Sequence, residues 1–265
     1  MKIIFFGILL AFSSLATADV VSPDTHISLA EQALKDKDNR LAVKLLNKVL
    51  KTKPNHFKAG WLLFKALEPL GEAEDIRLTL ENLNKLKPKD IDVLSQLCKT
   101  YYHQKFVDKA MKTCKEAIKQ DSSYATNHNH LAYAYWDYGK KNIALNIVKT
   151  IIKKFPENSS THNVAGDIYL KNKNTKLALD HYLKSANIDS TNISSHLEAA
   201  KIYFDLKDYK NSLKHYEHSC SINSQKTKSK LRYAATKLRL QTNDDWSSAY
   251  SIALNSCYTK KSPDK

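Results

Sequence analysis

The chain has 265 residues and a formal net charge of +15, and it contains only five glycines and six prolines. Because glycine supplies the positive φ angles of many tight turns and phosphate-binding loops, this composition excludes a fold rich in such turns and predicts helices joined by short polar connections. The positive charge favours acidic partners, among them anionic lipid headgroups, acidic polymers and acidic proteins.

The N-terminal segment has the composition of a secretory signal peptide. Lys2 gives a positive start, residues 3–15 are nearly all apolar, and Ala16-Thr17-Ala18 has the small-x-small pattern that precedes cleavage. A transmembrane anchor is the alternative, but the apolar run is shorter than the about 20 residues that span a bilayer. The sequence therefore predicts a signal peptide at residues 1–18 and a mature protein that is periplasmic or secreted, without stable membrane insertion. Export also argues against nucleic acid as the partner.

A regular period runs through the rest of the chain. The interval from Pro54 to Pro88 defines it, and Pro156 follows two such periods later. Other residue types recur at the same spacing: Ala42, Ala110, Ala144, Ala178, Tyr101, Tyr135, Tyr169, Tyr203, His26, His128, His162 and His196. The period predicts about seven repeated units within residues 19–258, followed by a disordered tail at residues 259–265.

Each window of this length contains two helical stripes of apolar residues. In residues 125–158 the stripes consist of Leu131, Ala132 and Tyr135, and then of Ala144, Ile147, Val148 and Ile151. A polar break at residues 137–142 separates them, and Pro156 ends the second. The pattern predicts a helix, a turn and a second helix in each unit, and successive hairpins must stack because neither helix buries its stripe alone.

These units resemble the tetratricopeptide repeat. The small residue, tyrosine, alanine and aromatic residue of the family pattern match Gly166, Tyr169, Ala178 and Tyr182. The unit that begins at residue 57 departs from the pattern, with Phe64 in the place of the small residue, and the last unit, from Thr227, is either a repeat or a capping helix pair. The resemblance implies an all-α, right-handed superhelical solenoid of helix-turn-helix repeats.

The resemblance also implies a binding surface. In this family the first helices of the units line a concave groove that holds peptides or partner segments. The corresponding residues here are Lys65, Lys99, Tyr102, His103, Asn129, Tyr133, Trp136, Asn163, Asp167 and Lys201. The asparagines would offer a donor and an acceptor to an extended backbone, and the aromatic residues are of types enriched at binding hot spots. The alternative is that Tyr102 and Trp136 are packing residues and that the lysines are ordinary surface.

We therefore expect an exported scaffold or adaptor that binds a protein or peptide partner in this groove. The alternative is a protein that binds an acidic cell-envelope polymer or glycan. The sequence contains no G-x-S-x-G, H-E-x-x-H, P-loop or G-x-G-x-x-G motif, so we expect neither an enzyme nor a bound cofactor.

Histidines and cysteines are the remaining candidates for chemistry. His128-x-His130 and His215-x-x-His218 have spacings that a metal site could use, but we interpret the repeated histidines as planar packing residues and expect no metal site. Four cysteines in an exported chain favour disulfides, and the sequence alone leaves three pairings open. In the family, the places of Cys98 and Cys114 face each other where the two helices cross, so the resemblance implies this bridge and leaves Cys220 with Cys257. Four buried free thiols are the alternative.

Overall fold

The structure is a computed structural model, and it describes residues 22–222. These residues form twelve α-helices and no strand. The helices are α1 (Pro23–Lys35), α2 (Asn39–Thr52), α3 (Phe57–Leu67), α4 (Ala73–Leu86), α5 (Ile91–His103), α6 (Val107–Gln120), α7 (Ala125–Asp137), α8 (Lys141–Lys154), α9 (Ser159–Lys171), α10 (Thr175–Ile188), α11 (Ile193–Asp205) and α12 (Tyr209–Ile222). The predicted signal peptide, the unit from Thr227 and the tail at residues 259–265 lie outside the described residues.

Each odd-numbered helix packs against the even-numbered helix that follows it, so the described chain is six helical hairpins. The first helices begin one period apart, from Pro23 to Ile193, and the second helices do the same from Asn39 to Tyr209. The chain divides into two compact units, with α1–α4 in the first and α5–α12 in the second. The predicted all-α fold of helix-turn-helix repeats is confirmed.

Polar caps and prolines set the helix ends. The side chains of Asp38, Asp90 and Asn158 precede α2, α5 and α9, and each accepts a hydrogen bond from the backbone N–H three residues further on. Pro54 and Pro156 stand two residues after the last residues of α2 and α8, because proline disfavours helical geometry in the residue before it. Among the described helices, none combines the length and the apolar content of a membrane span.

The turns inside the hairpins correct an expectation drawn from composition. Each of the six turns contains one residue with left-handed backbone geometry, and these residues follow the same period as the helices. They are Lys37, Gly71, Lys105, Gly139, Lys173 and Lys207, with φ between 61° and 84°. The scarcity of glycine therefore does not exclude repeated tight turns, because lysine occupies this geometry in four of the six. A hydrogen bond closes several of these turns, as where the backbone N–H of Phe106 donates to the Tyr101 carbonyl at 2.9 Å.

The third and fifth hairpins share one place of close contact between their two helices. In the fifth hairpin the pair is Gly166 and Tyr182, and a Cβ atom built on Gly166 would lie 2.6 Å from the Tyr182 ring. In the third hairpin the pair is Cys98 and Cys114, which form a disulfide with a Cα–Cα distance of 4.8 Å. The predicted Cys98–Cys114 bridge is thus confirmed. Cys257 lies outside the described residues, so its pairing with Cys220 stays a prediction.

Candidate partner-binding surface

In the second compact unit, the first helices of two successive hairpins carry a stacked pair of tyrosines. Tyr102 on α5 and Tyr133 on α7 lie with ring centroids 5.4 Å apart and ring planes 13° apart, and both side chains are half-buried. Lysines cover the two rings: the Nζ atom of Lys105 lies 5.2 Å from the Tyr102 centroid, and that of Lys171 lies 5.4 Å from the Tyr133 centroid. The result is a rigid aromatic surface bordered by cations.

Two histidines extend this surface. The His130 ring lies 5.7 Å from Tyr102, and the His103 ring lies 5.6 Å from His130 in an edge-on arrangement. Burial lowers the pKa of His130 to about 4 and also lowers the pKa of His103, so both imidazoles are neutral at pH 7. Trp136 lies one helical turn beyond Tyr133 on α7, with the Nζ atom of Lys141 5.5 Å from its ring centroid. We call these five residues the aromatic surface: Tyr102, His103, His130, Tyr133 and Trp136.

Asp167 on α9 fixes the position of Tyr133. One carboxylate oxygen accepts a hydrogen bond from the Tyr133 hydroxyl, and the other accepts one from the Tyr182 hydroxyl at 2.6 Å. Burial raises the pKa of both phenols, and the nearby carboxylate raises it further, so both tyrosines remain donors at neutral pH. Asp167 therefore joins α7, α9 and α10; its side chain is half-buried, and its predicted contact with a partner stays a prediction.

The two asparagines predicted as ligand contacts belong to a polar ladder between successive first helices. Its three rungs are a bond from Asn127 Nδ2 to Ser95 Oγ at 2.9 Å, one from Thr161 Oγ1 to Asn129 Oδ1 at 3.4 Å, and one from Ser195 Oγ to Asn163 Oδ1 at 2.9 Å. Asn129 is only 3% exposed, and its Nδ2 atom also donates to Ser160 at 3.3 Å. The amide of Asn129 is thus engaged in holding α7 to α9 and is not presented to a partner.

The predicted lysines occupy different settings. Lys65 lies exposed on α3 in the first unit, whereas half-buried Lys99 lies on α5 in the second, close enough to His103 and His130 to lower their pKa values further. Lys201 on α11 pairs with Glu198 of the same helix.

The structure adds an ionic cluster that the sequence did not indicate. The carboxylate of Asp137 lies 3.5 Å from Lys105 Nζ and 3.8 Å from Lys171 Nζ, so it links the end of α7 to the turn after α5 and to the end of α9. Lys171 stands one period after Asp137, so their spacing was visible in the sequence, but only the structure places Lys105 beside them.

The repeated histidines are packing residues with defined partners. His162 is 5% exposed and His196 is 7% exposed. Nε2 of His128 and Nε2 of His162 lie 3.1 Å and 2.8 Å from the carbonyl oxygens six residues upstream, in the turn that precedes each first helix. Among residues 22–222, no group of three or more histidine, cysteine or acidic side chains has an arrangement suited to a metal ion.

One family model matches the chain. The tetratricopeptide repeat model aligns with residues 193–226, a segment that begins with α11 and contains α12. No curated protein sequence shows a significant match.

Solved structures show the same fold at low sequence identity. A tetratricopeptide repeat protein from Parabacteroides merdae matches with a TM-score of 0.69 and 13% identity, over 82% of this chain and 86% of that one. PilW, described as a type IV pilus biogenesis factor, matches with a TM-score of 0.63 and 13% identity, over 80% of this chain and 97% of that one. YrrB, described as having an unusual peptide-binding site, matches with a TM-score of 0.55 and 13% identity, over 67% of this chain and 91% of that one.

Proposed function

Because the chain is a tetratricopeptide repeat protein, we propose that it is an exported scaffold that binds a segment of a partner protein on the aromatic surface. The observation that carries this proposal is the stacked pair of Tyr102 and Tyr133, which remains partly open to solvent while neighbouring groups hold it in place. Rigid aromatic side chains lose little conformational entropy when they bind, and they are enriched at the centres of protein interfaces.

The Asp167 network holds Tyr133, and two rungs of the ladder join α7 to α5 and α9 to α7. The outer side of the aromatic surface is bordered by Lys105 and Lys171, which already lie over the tyrosine rings. A surface prepared in this way suits a partner segment that contributes an apolar or aromatic side chain flanked by carboxylates. The peptide-binding site described for YrrB supports a peptide as the kind of ligand, at the level of the fold.

Two features support export. Residues 1–18 have the pattern of a cleavable signal peptide. A Cys98–Cys114 bridge is typical of oxidising compartments, such as the periplasm or the extracellular space, and rare in the cytosol. We therefore assign the partner to the cell envelope or its exterior. The proposed role is assembly or adaptation, with no catalytic step in this chain.

The test compares capture of envelope proteins by the immobilised mature protein and by two variants, Tyr102→Ala and Trp136→Ala. Tyr138→Ala is the matched control, because Tyr138 is 50% exposed and stands in the turn after α7, outside the aromatic surface. We expect both surface variants to weaken binding of the captured partner at least about 10-fold, equivalent to about 1.4 kcal/mol, and the control to bind normally. Equal binding by all three variants would exclude the aromatic surface as the site.

The positive charge keeps an acidic polymer as a second candidate ligand. Poly-L-glutamate serves as a probe for it. A polymer ligand should bind in low salt, lose affinity steeply as salt screens the lysines, and be insensitive to Trp136→Ala. A protein ligand should lose affinity in Trp136→Ala and should depend on salt less steeply than the polymer does.

A further inference from the structure

The turns inside the hairpins of the second compact unit lie along one edge. Successive turns lie side by side there, because the Asp137 carboxylate contacts Lys105 of the preceding hairpin and Lys171 of the following one. Each turn joins a first helix to a second helix, and the four turns follow one another at the repeat period. We call the following four segments the turn edge: residues 103–109, 137–143, 171–177 and 205–211.

The turn edge is cationic. Its four segments contain nine lysines and four aspartates, and every one of these lysines is exposed. The nine are Lys105, Lys109, Lys140, Lys141, Lys171, Lys173, Lys176, Lys207 and Lys210. Since Asp137 already lies between Lys105 and Lys171, most of the lysine charge faces solvent.

This excess of charge is not spread evenly over the basic chain. At the opposite edge of the same unit, the connections between hairpins at residues 119–125, 153–159 and 187–193 contain three lysines and three acidic residues. In the first compact unit, the turn segments 35–41 and 69–75 contain three basic and five acidic residues. The concentration of lysines therefore belongs to the turn edge of α5–α12.

Apolar side chains are exposed at the same edge. Among the described residues of α5–α12 and their connections, seven large hydrophobic side chains are exposed, and five of these lie at the turn edge. The five, at least one from each segment, are Phe106, Tyr138, Ile143, Leu177 and Leu206. Leu206 and Tyr138 are the most exposed, at 60% and 50%. Single exposed apolar residues are ordinary, but their concentration at one edge indicates an interaction surface.

We propose that the turn edge binds the anionic surface of a lipid bilayer, with its lysines at the headgroup phosphates and its apolar side chains among the headgroups and the first acyl carbons. The contact is peripheral, so the chain lies on the membrane without crossing it. The proposal does not depend on which partner the aromatic surface binds.

Two observations favour a bilayer over an acidic polymer or an acidic protein. Every segment of the turn edge offers lysines together with at least one exposed apolar side chain, so a matching partner must supply negative charge and an apolar interior along the whole edge. A bilayer supplies both, whereas an acidic polymer has no apolar interior. The apolar side chains are also distributed over four turns, whereas protein interfaces concentrate their binding energy near one centre.

Co-sedimentation with vesicles tests the proposal. The vesicles contain equal parts of phosphatidylglycerol and phosphatidylcholine, and vesicles of phosphatidylcholine alone are the uncharged reference. The turn-edge variant is Lys140→Gln/Lys176→Gln/Lys210→Gln, which removes three exposed lysines. It leaves Lys105 and Lys171 in place beside the aromatic surface, so a loss of vesicle binding is separate from any effect on the partner protein.

The matched control removes the same charge elsewhere in the same unit. It is Lys119→Gln/Lys149→Gln/Lys153→Gln, at exposed positions in the C-terminal halves of α6 and α8. Because each basic residue near an anionic bilayer strengthens binding about 5-fold, the turn-edge variant should bind the phosphatidylglycerol vesicles about 100-fold more weakly than the wild type. The control should lose less than about 10-fold. Equal losses in the two variants would overturn the proposal, as would a wild type that binds neither kind of vesicle.

The double variant Tyr138→Ser/Leu206→Ser separates a bilayer from an acidic polymer. It keeps every lysine and removes the two most exposed apolar side chains of the edge. We expect at least about 10-fold weaker binding to the phosphatidylglycerol vesicles, because only a bilayer takes these side chains out of water, and unchanged binding to poly-L-glutamate. Wild-type affinity for the vesicles in this variant would show a purely electrostatic attraction and would contradict the proposal.

Hydrogen exchange of the wild-type protein covers the case in which a variant does not fold. Mass spectrometry compares amide exchange with and without the phosphatidylglycerol vesicles. We expect the vesicles to slow exchange in residues 137–143, 171–177 and 205–211 and to leave residues 119–125 and 153–159 unchanged. Equal slowing at both edges, or slowing at neither, would refute the assignment of the turn edge.

Discussion

The lysines with left-handed backbone geometry give the sharpest test of how the turns are held. Lys173 connects α9 to α10 with a φ of 62°, a geometry that costs a residue with a Cβ atom about 1–2 kcal/mol. Glycine avoids this cost but loses about 0.5–1 kcal/mol through the greater freedom of the unfolded chain. The balance predicts that Lys173→Gly stabilises the protein by about 0.5–1 kcal/mol. For a chain of this size that corresponds to a rise of about 1–4 °C in Tm.

The fourth hairpin supplies the reverse experiment. Gly139 holds the same place with a φ of 84°, and a Cβ atom added there would meet no other atom within 4 Å. Backbone geometry alone therefore decides the outcome, and Gly139→Lys should lower Tm by a similar amount. Lys149→Gly, at an exposed position inside α8, is the control for the general effect of glycine and should cost about 1 kcal/mol.

Thermal unfolding followed by circular dichroism at 222 nm measures all three variants. The expected order of Tm is Lys173→Gly above the wild type, and Gly139→Lys and Lys149→Gly below it. If Lys173→Gly lowered Tm as Lys149→Gly does, the left-handed geometry would carry no cost at this turn, and the reasoning would be refuted. The variants change neither the disulfide nor the aromatic surface, so binding by a captured partner should be unaffected.

Two further predictions concern the places where the helices of a hairpin cross. The first replaces the disulfide by Cys98→Ala/Cys114→Val, which copies the Ala132–Val148 pair of the next hairpin. This variant should have a free energy of unfolding about 3 kcal/mol lower than the oxidised wild type. Its free energy of unfolding should be close to that of the reduced wild type. Gly166→Ala should cost about 1–2 kcal/mol because its Cβ atom meets the Tyr182 ring at 2.6 Å, and urea unfolding should show most of this cost removed in a Tyr182→Leu background.

The sequence period was sufficient to predict the hairpins. It gave the number of helices in each unit, and the observed helix starts keep the same spacing throughout the described residues. Pro54 and Pro156 marked helix ends correctly because the effect of proline on the preceding residue is local. The lysine turns were missed because lysine carries no local turn signal, although Lys173 stands one period after Gly139 and three after Gly71.

The sequence predicted which residues line the candidate surface, but it did not predict how their side chains contact one another. Tyr102 and Tyr133 were both identified as lining residues, but their separation falls short of one period, so the period gave no reason to expect that their rings stack. The ladder was hidden for a related reason. Asparagine, serine and threonine exchange places from rung to rung, so that Asn129 is an acceptor for Thr161 whereas Asn127 is a donor to Ser95. The hydrogen bonds between first helices therefore repeat although the residue types that make them do not, so the sequence shows no period for the ladder.

In the compact unit of α5–α12, different hairpins have different residues at the place where their two helices cross. These differences affect the aromatic surface. At the third hairpin a covalent bridge joins Cys98 to Cys114, so α5, which carries Tyr102, is tied to α6 by a bond that resists acid. At the fifth hairpin Gly166 admits Tyr182, whose hydroxyl reaches Asp167 and so helps to position Tyr133 from the other side. Tyr102 therefore lies on a helix that a disulfide ties to its neighbour, whereas Tyr133 is held by hydrogen bonds through Asp167. Reducing agents should therefore loosen the α5 side of the tyrosine stack and leave the hydrogen bonds on its α9 side in place, because only the first link is covalent.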